Sequence, residues 1–182
     1  ALAADGAAAN AFVTTHMATA AAALSWIVAE WMHGGKATTL GAASGAVAGL
    51  VAITPAAGFV TPMWAIVLGL GAGVICYAGI MLKNKFGYDD ALDVVGIHGV
   101  GGTYGALATG VFATIGAEGL IAGNANQLWI QFVSVVATWA FCFIMTFVIF
   151  KVVDATVGLK ADNNEQDKGM DINEHSETGY QW

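Results

Sequence analysis

One histidine stands where an ionisable side chain is costly. His98 lies in Asp-Val-Val-Gly-Ile-His-Gly-Val-Gly-Gly-Thr-Tyr-Gly, inside an uncharged run that stretches from Asp93 to Glu118. Ionisable groups within apolar spans usually face a cavity or a partner. On a regular helix His98 shares its face with Val94, Val95, Gly101, Gly102 and Gly105, so the ring is expected to enter a narrow space between close backbones. Asp93 is five positions back, about 140° around the helix, and pairs with the ring poorly. Burial without a charged partner favours the neutral imidazole, which carries one N–H donor and one acceptor nitrogen. Such a ring can hand a proton or a small polar molecule along a dry path. It can equally serve as a hydrogen-bonding link between helices, and the residues alone leave both open.

The other chemistry-bearing residues point to structure. His16, in Thr-Thr-His-Met, reads as an interhelical hydrogen-bonding residue, His33 as part of a loop and His175 as part of the polar tail. None of the four histidines has metal-ligand spacing, so neither a metal nor another cofactor is expected. Asp89, Asp90 and Asp93 cluster where a helix should begin. There they complement the helix dipole and cap free N–H groups, a reading preferred over a proton relay. Glu30 sits close to a helix end and can reach an interface. Ser44 and Thr54 can satisfy local backbone. Cys76 and Cys142 lie in apolar runs and read as small apolar residues. No Ser-His-Asp arrangement or phosphate loop is present, and an enzyme is not expected.

The elements that must position His98 follow from the charges. Hydrophobic residues make up 57% of the 182 residues and charged residues only 10%, where a soluble domain carries about a quarter. Uncharged runs separate Asp5 from Glu30, fill Ala37 to Leu82, and continue from Gly119 to Phe150. The second is long enough for two spans, with a turn at Pro55, Gly58 and Pro62. The sequence therefore predicts an all-α, polytopic transmembrane bundle over residues 1–158. Its five helices are expected near 7–32, 38–57, 62–82, 92–115 and 127–156, followed by an acidic cytoplasmic tail over 159–182. Gly41, Gly45 and Gly49, then Gly69 and Gly73, then Gly101 and Gly105 stand four apart, the spacing of close helix contacts in lipid. Trp31, Trp64 and Trp129 fall near helix ends, as an interfacial belt requires.

Orientation follows from the lysines. There is no Arg, and Lys36, Lys83, Lys85, Lys151, Lys160 and Lys168 all fall on one side of a five-helix arrangement. The positive-inside rule makes that side, and the C-terminus, cytoplasmic. The formal net charge of −7 and the lack of basic clusters argue against nucleic acid. The chain opens Ala-Leu-Ala-Ala-Asp, with no initiator Met and no basic leader segment, and an upstream portion is expected.

Three stretches resemble the ammonium transporter (Amt/Rhesus) family. Asp-Val-Val-Gly-Ile-His-Gly-Val-Gly-Gly resembles its Asp-x-x-x-x-His-Gly-x-x-Gly motif. Residues 41–60, Gly-Ala-Ala-Ser-Gly-Ala-Val-Ala-Gly-Leu-Val-Ala-Ile-Thr-Pro-Ala-Ala-Gly-Phe-Val, resemble its most recognisable signature. Gly-Met-Asp-Ile-Asn-Glu-His-Ser-Glu-Thr-Gly-Tyr resembles its cytoplasmic ending. The resemblance runs in order over residues 1–182. It implies an eleven-helix, inverted-repeat transporter that assembles as a homotrimer in the cell membrane, with these five helices as the seventh to eleventh. It implies that His98 is the second of two paired pore histidines, that Val94 lines the pore and that Ser44 lies near the vestibule or lumen. His16 matches the seventh helix and is not the first of the pair. That histidine, the cation-recruiting aromatic and the stacked phenylalanine gate would lie upstream. Tyr104 carries no assignment.

The implied activity is passage of ammonium or ammonia through a hydrophobic pore. A PII-type nitrogen regulator is the partner implied for residues 159–182. An ammonium sensor of the same architecture is the alternative. The absence of a kinase-like or cyclase-like domain after the tail favours transport, and the buried His98 argues against a scaffold.

Overall fold

The computed structural model describes residues 3–179. Ala1 and Leu2 of the expected transmembrane region 1–158, and the last three residues of the expected tail, including Trp182, lie outside the described residues. Among the described residues the regular structure is helical throughout. Two compact units divide the chain, Ala1–Val136 and Ala137–Trp182. The division falls within the helix Ala125–Thr156.

In the first unit α1 spans Gly6–Gly34. Asp5 caps it by accepting from the Ala8 N–H at 2.9 Å, and Gly35 ends it in the left-handed conformation, φ 75°. Helix α2 spans Thr39–Ile53 and begins with Thr38, whose hydroxyl accepts from the Gly41 N–H at 2.8 Å. Glu30 reaches across from α1 and accepts from both the Thr38 N–H (3.0 Å) and the Thr38 hydroxyl (2.9 Å). This carboxylate fixes where α2 starts.

The helix expected to 57 ends at Ile53 because Pro55 has no N–H to continue the ladder. The turns that follow leave carbonyls free. Asn10 donates to Ala57 and Val60 oxygens at 3.1 Å each, and the fully buried Thr14 donates to Ala57 at 2.9 Å. These two polar residues of α1 satisfy backbone that an apolar surrounding could not.

Helix α3, Pro62–Phe86, opens on Pro62 and ends at Gly87, φ 67°. It runs one turn beyond the expected residue 82, and Lys83 and Lys85 occupy that last turn, where positive charge suits the dipole. The fourth expected helix, 92–115, differs most. Residues Val95–Gly99 form a π-helical turn that continues directly into α4, Val100–Phe112. Helix α5 spans Ala125–Thr156. Three helices, α1, α3 and α5, are long and apolar enough to cross a membrane, and α2 is a shorter apolar helix.

The packed interior is made of small residues. Ala18, Ala22, Ala52, Ala56, Ala65, Ala72 and Ala108 are buried around Leu68, Ile53 and Val60. Large apolar side chains such as Phe12, Leu24, Leu40 and Met63 are exposed instead. A soluble fold would reverse this distribution. It is the distribution of a bundle held by close backbone packing in lipid. Gly49 and Gly69 both lie against Ala18 of α1, Gly73 against Ala22 and Ser25, and Gly105 of α4 against Ala52 of α2.

In the second unit the tail folds locally. Helix α6, Asn163–Lys168, carries a reciprocal capping box between Asp162 and Glu165, and α7 spans Met170–His175. Asn173 donates to the Glu165 and Gly169 carbonyls at 2.9 and 3.0 Å, and Asp171 accepts from the Gly179 N–H at 2.8 Å. The Gly179 and Ile172 N–H groups hold the Asp171 carboxyl below the usual aspartate range. A depressed value means that the carboxylate supports this turn at and above the ordinary aspartate range. That support is lost as pH falls through the depressed value. The Gly179 amide resonance is therefore expected to move upfield only in that acid window, and Asp171→Asn should remove the transition.

Candidate functional site

The site is built from the start of the fourth helical segment. Asp90 accepts from two successive N–H groups, Val94 to Oδ1 and Val95 to Oδ2, each at 2.9 Å. It thus satisfies donors that a helix start leaves free. Asp93 stands at φ 56°, left-handed for a non-glycine residue, which costs about 1–2 kcal/mol. Lys83, at the end of α3, makes an ion pair with the Asp93 carboxylate and donates to the Asp90 carbonyl at 3.0 Å. Asp90 and Asp93, expected at a helix start, are also tied to the neighbouring helix. No feature of the local sequence identifies Lys83 as their partner, ten residues from Asp93.

The π turn decides which side chains face the bundle. On a regular α-helix Val94 would lie about 20° from the buried Gly101, and Gly96 about 140° away. The structure has the reverse: Gly96 and Ile97 are buried, whereas Val94 is 47% exposed and His98 is exposed. One extra residue per turn advances the phase by about 100° and exchanges the two faces. His98 therefore does not enter the space beside Gly101 and Gly105 that the regular helix implied. Gly101 faces Cys76 and Val51 there, and Gly105 faces Ala52. Cys76, a buried small residue as its setting suggested, lies with Sγ 3.7 Å from the Ile97 carbonyl.

His98 and Val94 are both exposed, one turn apart, and among the described residues the His98 ring has no hydrogen-bond partner. Ser44 is half-buried on α2, on a different element from the other two. His16 is exposed and its Nδ1 lies 2.9 Å from the Phe12 carbonyl of its own helix, not of another. His33 belongs to the last turn of α1 rather than a loop, with Nδ1 2.8 Å from the Tyr77 hydroxyl. Among the described residues no group of three His, Cys, Asp or Glu could hold a metal ion.

Residues 1–180 match the Ammonium Transporter Family. The chain belongs to that family. It is 51% identical over 187 residues to the ammonium transporter of Bacillus subtilis, covering all of this chain and 46% of that protein. It is 44% identical over 183 residues to ammonium transporter Amt1 of Archaeoglobus fulgidus, covering 99% of this chain and 46% of that protein. The crystal structure of Saccharomyces cerevisiae Mep2 superposes with a TM-score of 0.79 at 34% identity, over 83% of this chain and 37% of that one. A structure titled Sensor Amt Protein superposes with a TM-score of 0.80 at 26% identity, over 94% of this chain and 43% of that one. The chain thus spans less than half the length of the curated relatives it matches. This member of the ammonium transporter family is a helical integral membrane protein, and its relatives are named as transporters, not enzymes.

Proposed function

We propose that this chain is part of a transporter that moves ammonium or ammonia across the cell membrane, with His98 lining the path. The observation that carries the reading is an exposed imidazole on the outward face of a π turn, one turn from Val94, with no hydrogen-bond partner among the described residues. In an apolar surrounding such a ring needs a polar partner or a passing substrate. Ammonium is a hydrated cation and meets a heavy desolvation cost in a dry pore, whereas ammonia is small and neutral. Separating proton from ammonia at an imidazole avoids that cost.

In this reading α1, α2, α3, the π turn with α4, and α5 are the seventh to eleventh helices of eleven. The partner pore histidine comes from the preceding repeat, which covers the outward face of His98 and Val94. Ser44 lies near the vestibule or lumen. The protomers assemble as a homotrimer, with the lysine-bearing ends and the tail in the cytoplasm. The acidic residues 159–182 form the docking point for a PII-type regulator.

Reconstituting the whole transporter in proteoliposomes tests the activity: an ammonium gradient is expected to drive flux well above that of empty vesicles. The sensor reading is favoured by the likeness to the Sensor Amt Protein. It would be supported by saturable ammonium binding without flux. Regulator capture that persists after removal of residues 159–182 would refute the docking assignment.

A further inference from the structure

We infer that Lys83 is a positioning residue for His98: through Asp93 and Asp90 it holds the π turn in the phase that presents the imidazole outward. The inference rests on the assignment of His98 to the transport path. Four residues on one stripe of α3 touch this segment. Cys76 faces the Ile97 carbonyl, Gly79 and Ile80 lie against Gly96, and Lys83 binds the two aspartates at the segment's entrance. Their spacing of three and four residues makes them one face of a regular helix. The straight helix thus acts as a template for the irregular one.

The contacts have different capacities. Gly79 and Gly96 bring the backbones together: an added Cβ on Gly96 would stand 2.8 Å from Ile80 Cγ1, and one on Gly79 would stand 3.3 Å from the Gly96 carbonyl oxygen. They set distance but not rotation, because glycine presents no side chain to lock. Rotation must be set where the segment enters, and there the polar groups converge. Lys83 spans the Asp90 carbonyl and the Asp93 carboxylate, while the Asp90 carboxylate holds the first two N–H groups of the segment. Asp93 in its left-handed conformation is the pivot between them. The Lys83 side chain is 14% exposed and that of Asp93 31%, so the pair sits at the edge of the packed surface. Without it the backbone is free to relax at Asp93 and return to the regular helical phase. That would turn Val94 toward the bundle and carry His98 away from its outward position.

The test uses the whole transporter with Lys83→Met, which keeps the apolar stem and removes the charge, and Lys83→Arg, which keeps the charge. Three quantities are read: the ¹⁵N signature of the His98 ring, the ammonium-to-potassium discrimination and the ammonium flux. Lys83→Met is expected to alter the ring signature and lower flux about tenfold to a hundredfold, the scale of a misplaced functional group. Lys83→Arg should recover both. Asp93→Asn, which removes the ion pair but suits the left-handed position and leaves Lys83 able to donate to the Asp90 carbonyl, serves if Lys83→Met does not assemble, and is expected to alter the ring signature in the same direction. An unchanged ring signature and discrimination in Lys83→Met, or an unchanged signature in the assembled Asp93→Asn variant, overturns the inference. A wild-type protein that carries no ammonium flux refutes the transport assignment instead, and the ring signature still reads the Lys83 contact.

Discussion

His98→Ala is expected to abolish ammonium flux or to leave a pore that no longer prefers ammonium. An apolar path admits ammonia readily and excludes the bare cation, so selective conduction of ammonium needs a group that takes the proton. Neutral imidazole supplies both an acceptor and a donor in one ring. Among the described residues His98 is a histidine inside the fourth helical segment, exposed beside Val94, with its ring unpartnered. Alanine keeps the helix and removes both nitrogens. Loss of a positioned acid–base group costs about a hundredfold or more. The alternative outcome, continued current without discrimination, would mean that the vacated space admits hydrated ions. Ammonium-induced currents in reconstituted membranes, measured against potassium, distinguish these results. Normal, ammonium-selective currents in His98→Ala would falsify the role.

Gly105→Ala should destabilise the bundle although alanine is the better helix former. Propensity alone favours the change by about 1 kcal/mol. Tertiary contact opposes it, because a methyl at Gly105 would overlap the Ala52 carbonyl and approach its Cα to 2.8 Å. The obstacle is backbone of α2, which cannot rotate away as a side chain can. Overpacking of this kind costs about 1–3 kcal/mol, so the net effect is destabilisation and a lower unfolding temperature in detergent. Gly102→Ala is the control. It lies three residues away on the same helix, and its added methyl would meet only Val51 Cγ1 at 3.9 Å, an ordinary contact. That variant should be neutral or stabilised. Equal behaviour of the two variants would remove the close-approach explanation for Gly105.

The same pair of glycines marks how far the sequence could be read. Gly101 and Gly105 signalled a helix contact through their spacing, and both do face α2 or α3. Their spacing could not name Ala52 or Cys76 as the opposing residues. Asn10 and Thr14 carried no signal at all. Their partners are carbonyls of residues 57 and 60, freed only because Pro55 stops α2 early. Glu30 was read as reaching an interface, and the structure has it holding Thr38 at the start of α2.

By itself the sequence determined the helical class, the approximate spans, the position of the lysines along them and His98 as the side chain needing explanation. These follow from one-dimensional rules: charge is excluded from apolar spans, proline stops a ladder, and glycine spacing marks contact. The direction in which His98 points was decided only in three dimensions. Regular helical geometry puts it with Gly101 and Gly105, and the π turn moves it out. That turn depends on contacts between α3 and residues 90–97, where Lys83, Gly79 and Cys76 meet a segment seven to twenty-one residues further along the chain. The phase of a helix is set at its ends and by what it packs against, and neither is written in the local pattern of apolar residues.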